Sequence, residues 1–295
     1  LKLTNKFNIP QTFINVLDRP TYSKGKANLS VTQLINSPKI VALTKKFEDE
    51  LEQDVSDMVW SIFGSAVHKV LEHGQDANHI VEERLSVEID GWKISGAIDL
   101  QIKGDNFIEI RDYKTVSAWA VMNEKAEWEQ QLNLYAYLVE KVKKVPVISL
   151  GIVAVIRDWS RREAAGNNLY YPKAPVWEIP IRLWPLEERE VYLRDRINSH
   201  ASCEFELETD GKLPDCTPQE MWERPTKYAV MKEGNIRAKS VHDTMQDAEW
   251  AIQDIKPEQR RQYRIEVRPG SRTRCESFCP VSSYCQQWRD YQESK

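Results

Sequence analysis

The residues best able to do chemistry are Asp99, Asp112 and Lys114, with His68 upstream and Gln131 and Tyr135 downstream. Asp99 ends the stretch Gly96-Ala97-Ile98-Asp99, and Asp112-Tyr113-Lys114 follows a turn signal at Gly104-Asp105. Carboxylates hold hard divalent cations, and a nearby ammonium stabilises or orients an anionic nucleophile or a phosphate. That combination suggests hydrolysis of a phosphodiester. The reaction needs a nucleophile near hydroxide and neutralisation of a phosphorane-like transition state, and one or two divalent cations supply both. Oxygen ligands suit Mg2+ or Mn2+, and an imidazole such as that of His68 tilts the choice toward Mn2+.

The elements that must position these groups follow from periodicity. A first helical pattern opens at 29–35, with Ser30 as its N-cap. A helix over 56–73 carries Trp60, Phe63, Val67 and Leu71 at helical spacing, and Gly64, His68 and Glu72 on a neighbouring stripe. Gly64 would remove bulk beside His68, and Glu72 would accept from its ring N–H. Strands are expected over 80–89, 92–102 and 106–115, joined by turns at Asp90-Gly91 and Gly104-Asp105. A helix starting near Glu124 and ending at Lys143 places Trp128, Leu132, Tyr135 and Leu138 on one side. An apolar strand over 147–156, a strand over 176–183 and a helix over 186–202 complete a core.

Alternation places Ile108, Ile110, Asp112 and Lys114 on one strand face, apolar at its start and charged at its end. A strand of that kind leaves a core and enters a cleft. Asp99 is out of phase with Ile94, Ile98 and Leu100 and would face a cleft between sheet and helix. Gly96 inside a strand signals close approach by another group. Gln131 and Tyr135, four apart on a helix, meet each other. Taken singly, each of these signals is more often a solvated charge or a packed side chain.

The 295 residues carry a formal net charge of -4, so the chain is not a wholly basic nucleic-acid coat. Local basic clusters remain, among them Lys141, Lys143 and Lys144, and Arg157, Arg161 and Arg162. No apolar run is long enough to span a bilayer, and the start at Leu1 is not followed by a signal-type segment. The expectation is a cytoplasmic protein without a membrane partner. All five cysteines, Cys203, Cys216, Cys275, Cys279 and Cys285, lie in the last third. An odd number without a secretory signal disfavours a disulfide framework, and their crowding suggests a metal or cluster site. Cys275, Cys279 and Cys285 need a fourth partner. Cys216, in the rigid turn Leu213-Pro214-Asp215-Cys216-Thr217-Pro218, is preferred to Cys203. Between Cys216 and Cys275, strand-like stretches at 228–230 and 263–267 flank a helical one at 244–252. The expected organisation is an irregular lead-in over 1–29, a core over 30–205, a linker and small α/β insert over 206–270, and a cysteine-rich tail over 271–295.

In combination, Gly64-x-x-x-His68, Gly96-x-x-Asp99, Asp112-x-Lys114 and Gln131-x-x-x-Tyr135 resemble the RecB-like branch of the PD-(D/E)XK nuclease superfamily. The resemblance covers roughly residues 30–160. It implies an α/β, restriction-endonuclease-like core of αβββαβ order, a mixed sheet flanked by helices. It also implies that His68, Asp99, Asp112 and the Tyr113 carbonyl bind metal, that Lys114 orients or activates water, and that Gln131 and Tyr135 position the lysine and the DNA. The cysteine tail looks like that of RecB-like relatives, the AddB type among them, in which a [4Fe–4S] cluster staples the nuclease. In those, the first cysteine usually precedes the core, whereas here none precedes Cys203, so zinc stays open. The arrangement is closer to stand-alone exonuclease-like proteins of bacteriophage. The implied function is a divalent-metal-dependent deoxyribonuclease, an exonuclease on single-stranded DNA or duplex ends in recombination, repair or phage DNA processing. A recombination protein or helicase would be a partner, and a bacterial or phage-infected cytoplasm the setting. The alternative is a catalytically weak nucleic-acid-binding module of a recombination complex, held together by a cluster or zinc. Trp119 and Trp128 flank the motif helix and could stack on bases, although packing roles fit them better.

Overall fold

The computed structural model describes residues 2–17, 25–74, 76–123, 125–209 and 211–294. Leu1, Pro20 and Glu124 lie outside the described residues. The chain divides into two compact units, Leu1–Leu213 and Pro214–Lys295.

The first unit opens with β1 (Lys2–Thr4), α1 (Gln11–Leu17), β2 (Leu29–Ser30), α2 (Val31–Ile35), α3 (Pro38–Lys46), β3 (Glu52–Asp54) and α4 (Val55–Leu71). It continues with β4 (His79–Ile89), β5 (Trp92–Lys103), β6 (Ile108–Val116), α5 (Ala118–Met122), α6 (Ala126–Lys143), β7 (Val147–Ile156), α7 (Arg161–Ala164), β8 (Val176–Ile181) and α8 (Leu186–Glu208). The lead-in is less irregular than expected, because β1 pairs in parallel with β3 and α1 is helical. A three-residue strand whose partner lies about fifty residues away has no periodicity to reveal it. Ser30 caps α2 in a reciprocal capping box with Gln33, as its position implies.

The central sheet is mixed. Its order is β2-β5-β6-β7-β8, with β4 along the other edge of β5. Asp90 and Gly91 both take positive φ, which lets a two-residue turn join β4 to β5. β6 and β7 run parallel and are connected through α6, the crossover such a pair requires. Residues 131–139 of α6 are all buried, and Leu132, Leu134 and Leu138 join Ile94, Ile98, Ile110 and Ile152 in the core.

β5 divides one edge between two partners. Leu29 and Ser30 of β2 pair with Ile94 and Ser95, while β6 pairs only with Leu100–Lys103. Beyond Leu100↔Arg111, β5 and β6 part, and Asp99 stands at the parting. Gly96 explains how α6 comes so near: a Cβ there would sit 2.7 Å from the Tyr135 ring and 2.9 Å from Leu138.

The helix over 55–71 departs from expectation. Its spacing reads as an amphipathic core helix, yet only Val55 is buried, and Trp60 and Phe63 are 58% and 43% exposed. Nothing lies within 4 Å of the place a Cβ on Gly64 would occupy, so this glycine relieves no crowding. The helix starts at Asp54, whose carboxylate accepts from Ser56 N–H, Lys6 N–H and the Thr4 hydroxyl. Those bonds hold the Asp54 carboxyl well below its ordinary pKa, the Lys6 N–H contributing most.

The second unit holds β9 (Glu223–Arg224), β10 (Lys227–Lys232), β11 (Ser240–His242), α9 (Met245–Gln253), β12 (Tyr263–Arg268), β13 (Ser271–Arg272), α10 (Thr273–Ser277) and α11 (Gln286–Glu293). A three-stranded antiparallel sheet, ordered β11-β10-β12, packs against α9, whose N-cap is Thr244. Its buried apolar residues, such as Ala229, Val230, Met231, Ala248 and Ile255, make a thin core.

Gly96→Ala should destabilise the chain by about 1–3 kcal/mol, because aromatic ring and strand backbone must both shift. Urea unfolding measures this, with Gly64→Ala as the comparison. Gly64→Ala should be neutral or slightly stabilising, since it fills open space on a helix.

Candidate active site

Where β5 and β6 part, the backbone of Tyr113 loses its partner strand. β6 pairs in parallel with β7 on its other side, so the Tyr113 N–H and C=O both point into the gap. Two side chains take them. The Tyr113 N–H donates to Asp99 Oδ2 at 2.8 Å, and His68 Nε2 lies 2.8 Å from the Tyr113 oxygen.

A carbonyl can only accept, so Nε2 carries the hydrogen and Nδ1 turns the other way. Nδ1 faces Asp99 Oδ2 at 3.5 Å and Glu82 Oε1 at 3.8 Å. A lone pair aimed at two carboxylates is repelled unless a cation stands between them. In the free protein a proton serves, and the Glu82 carboxylate raises the His68 pKa against desolvation, with Asp99 adding to the effect. Burial, then the charge of Asp112, pushes the Asp99 carboxyl up to about 7. His68, Glu82 and Asp99 each bring a ligand atom within 4.8 Å of the others. One imidazole and two carboxylates fit a divalent cation such as Mn2+ or Mg2+.

Asp112 stands behind this trio. It is 1% exposed, its Oδ1 accepts from Gln131 Nε2 at 3.2 Å, and its Oδ2 pairs with Lys114 Nζ at 2.6 Å. Gln131 also donates to the Tyr135 hydroxyl at 2.8 Å. Desolvation works against the Lys114 ammonium, but Asp112 and Asp99 outweigh it and raise its pKa, so the group is a held cation.

The other candidate residues lie around this trio. The Tyr113 carbonyl orients the His68 ring from the side away from the carboxylates, and Asp112 faces Lys114 and Gln131 rather than joining the trio. Glu72 is 2.5 Å from Lys69 and is replaced beside His68 by Glu82. Glu82 lies in β4 between the pairs Val81↔Leu100 and Glu83↔Ile98, opposite Asp99, a cross-strand placement that no motif in the sequence marks. Gln131 and Tyr135 are buried against Asp112. Trp128 packs on the core, whereas Trp119 is 57% exposed with Lys125 Nζ 5.2 Å above its ring. A second aromatic–cation pair, Trp60 with Arg157 at 4.5 Å, was not foreseen.

In the second unit, Cys216 and Cys285 are buried, Cys275 lies in α10, and Cys279 follows that helix. Gln287 of α11 clamps the Cys216 peptide, accepting from its N–H at 2.8 Å and donating to its C=O at 3.0 Å. Burial, then the charges of Cys279, Cys216 and Cys285, pushes the Cys275 thiol up to about 11, although among the described residues no three cysteines bring their sulfurs as close together as the ligand atoms of His68, Glu82 and Asp99. Cys203 is in α8 of the first unit, 1% exposed.

Titration with Mn2+ should raise the melting temperature of the chain. His68→Ala, Asp99→Asn and Glu82→Gln should each weaken that response about tenfold or more in half-saturating Mn2+. A response unchanged in Glu82→Gln would remove that residue from the site.

Among the described residues, no helix is long and apolar enough to cross a membrane. No curated protein matches the chain significantly. Several solved structures are similar, two of them as follows. One is the protein SSO0001, 19% identical, with a TM-score of 0.43, covering 64% of this chain and 82% of its own. The other is a candidate exonuclease from Eubacterium rectale, 11% identical, with a TM-score of 0.29, covering 59% of this chain and 64% of its own. At these values neither bears on activity. The model of the PD-(D/E)XK nuclease superfamily matches residues 74–286, a span that takes in Glu82, Asp99, Asp112, Lys114 and all five cysteines. Members of this superfamily use divalent metals on nucleic acid, and a match over more than half of the chain, on a mixed sheet that sets carboxylates beside a lysine, means that this chain belongs to the PD-(D/E)XK nuclease superfamily.

Proposed function

We propose that the chain is a RecB-like, divalent-metal-dependent DNA nuclease, an exonuclease acting on DNA ends or single strands. The observation that carries this reading is the parting of β5 and β6, which sets His68, Glu82 and Asp99 beside the Asp112–Lys114 pair. His68, Glu82 and Asp99 would hold the cation, with Asp112 close behind. A bound divalent cation supplies charge neutralisation and a water of lowered pKa. Asp112 fixes the Lys114 ammonium, which orients the attacking water or steadies the phosphate oxygens. Gln131, braced by Tyr135, holds the Asp112 carboxylate from behind, so lysine and carboxylate are set before substrate arrives.

The same proposal assigns a structural [4Fe–4S] cluster to Cys216, Cys275, Cys279 and Cys285. Three features favour it. The second unit has a thin core that a cluster would staple. Gln287 fixes Cys216 from the helix that begins next to Cys285. Burial raises the Cys279 pKa, and the Val281 N–H and the Arg274 charge oppose that rise, as groups that stabilise a cluster thiolate do.

In Mn2+, wild type should degrade linear end-labelled DNA and spare closed circles. Lys114→Ala should be slower by at least about a hundredfold. Equal cutting by the variant, or no cutting by wild type, would sink the enzyme reading, and cut circles would make it an endonuclease. Protein purified without oxygen should be brown and contain iron. Cys216→Ser should lose that iron and Cys203→Ser should keep it, while colourless protein with stoichiometric zinc would defeat the cluster.

A further inference from the structure

Trp60, Gly64 and His68 form one stripe on α4, each four residues from the next. Two turns separate Trp60 from His68, about 12 Å along the helix axis. Trp60 is 58% exposed, Phe63 meets its edge at 6.3 Å and 85°, and the Arg157 guanidinium lies 4.5 Å from the indole centroid. The arginine side of the contact leads back to the same site. Arg157 directly follows β7, and its N–H donates to the carbonyl of Val116, two residues beyond Lys114. The platform is therefore anchored to the His68 helix on one side and to the Lys114 strand on the other. Between Trp60 and His68, Gly64 leaves open space. Arg157, Arg161 and Arg162 are exposed, and none enters an ion pair among the described residues.

An apolar surface made to meet another protein would not require three uncompensated arginines, whereas a nucleic-acid strand requires both rings and cations. We propose that Trp60, braced by Arg157 and Phe63, is a stacking platform for an unpaired base of the strand whose phosphate lies at the His68–Asp99 centre. Its backbone passes over Gly64, and the preferred substrate is single-stranded DNA. The proposal rests on the nuclease reading above and names its substrate class. An aromatic face accepts any base only when that base is free of its complement, so a continuous duplex cannot use the platform.

The test pairs wild type with Trp60→Ala and Trp60→Phe, as full-length protein. Fluorescence anisotropy in Ca2+ measures affinity for a labelled single-stranded oligonucleotide and for its blunt duplex. Trp60→Ala should bind the single strand roughly tenfold to a hundredfold more weakly, and Trp60→Phe should recover most of the loss. Oligonucleotides with one abasic site, moved along the strand, give a readout that a packing role would not move. Wild type should lose affinity when the gap falls at one position a few nucleotides from the cut, and Trp60→Ala should not register that gap. Equal affinity of wild type and Trp60→Ala would overturn the platform, as would a loss that is the same for intact and abasic strands. A loss of the same size on the duplex would overturn the strand preference. Hydrolysis of bis(4-nitrophenyl) phosphate by wild type in Mn2+ checks the nuclease reading separately. If that fails, the anisotropy measurements still decide the platform.

Discussion

Everything at the site depends on one unpaired stretch of backbone. Inside a sheet, each peptide group has a partner on the next strand, and an orphaned one is costly. Here β5 and β6 separate after Leu100↔Arg111, and the N–H and C=O of Tyr113 need other partners. Asp99 and His68 provide them. The two side chains thus complete the fold's hydrogen bonding and are held in place by it. Asp99 Oδ2, already the acceptor of the Tyr113 N–H, and His68 Nδ1 then face each other across a space that also admits Glu82.

The electrostatics of that space are unfavourable without a cation. Asp99 and Asp112 are both buried, and their mutual repulsion adds to the desolvation that raises the Asp99 pKa to about 7. Lys114 offsets part of the charge, from the Asp112 side. A group of acids kept this close, with only one ammonium and one imidazole, is arranged for added positive charge. In the second unit, burial and the charges of neighbouring thiols likewise push the Cys275 thiol up to about 11.

Much of the core could be read from periodicity. The alternating 108–114 face, the buried side of α6 and the turn at Asp90-Gly91 appear in the structure where residue pattern places them. Three things did not follow from pattern. Glu82 reaches the site because β4 pairs with β5 in a register that sets it opposite Asp99, and that register is not written in either strand alone. Trp60 and Phe63 have the spacing of a core stripe, but spacing cannot tell a buried stripe from one left open. The helix from Leu186 continues to Glu208, past the expected end at 202, because no glycine or proline interrupts it. Within the site, the types and order of residues were legible, while the partners of each atom depended on where two strands diverge.

The contact between Gly96 and Tyr135 bears on how such a chain can change. The ring occupies the volume that any side chain at position 96 would need, and its hydroxyl is also the partner of Gln131. A larger residue at 96 needs both Tyr135 and Leu138 to yield, and a smaller residue at 135 strips Gln131 of its brace behind Asp112. A steric constraint and a polar one therefore meet at Tyr135. A lineage that gains a side chain at 96 by shrinking this ring must rebuild the support of its carboxylate on the way.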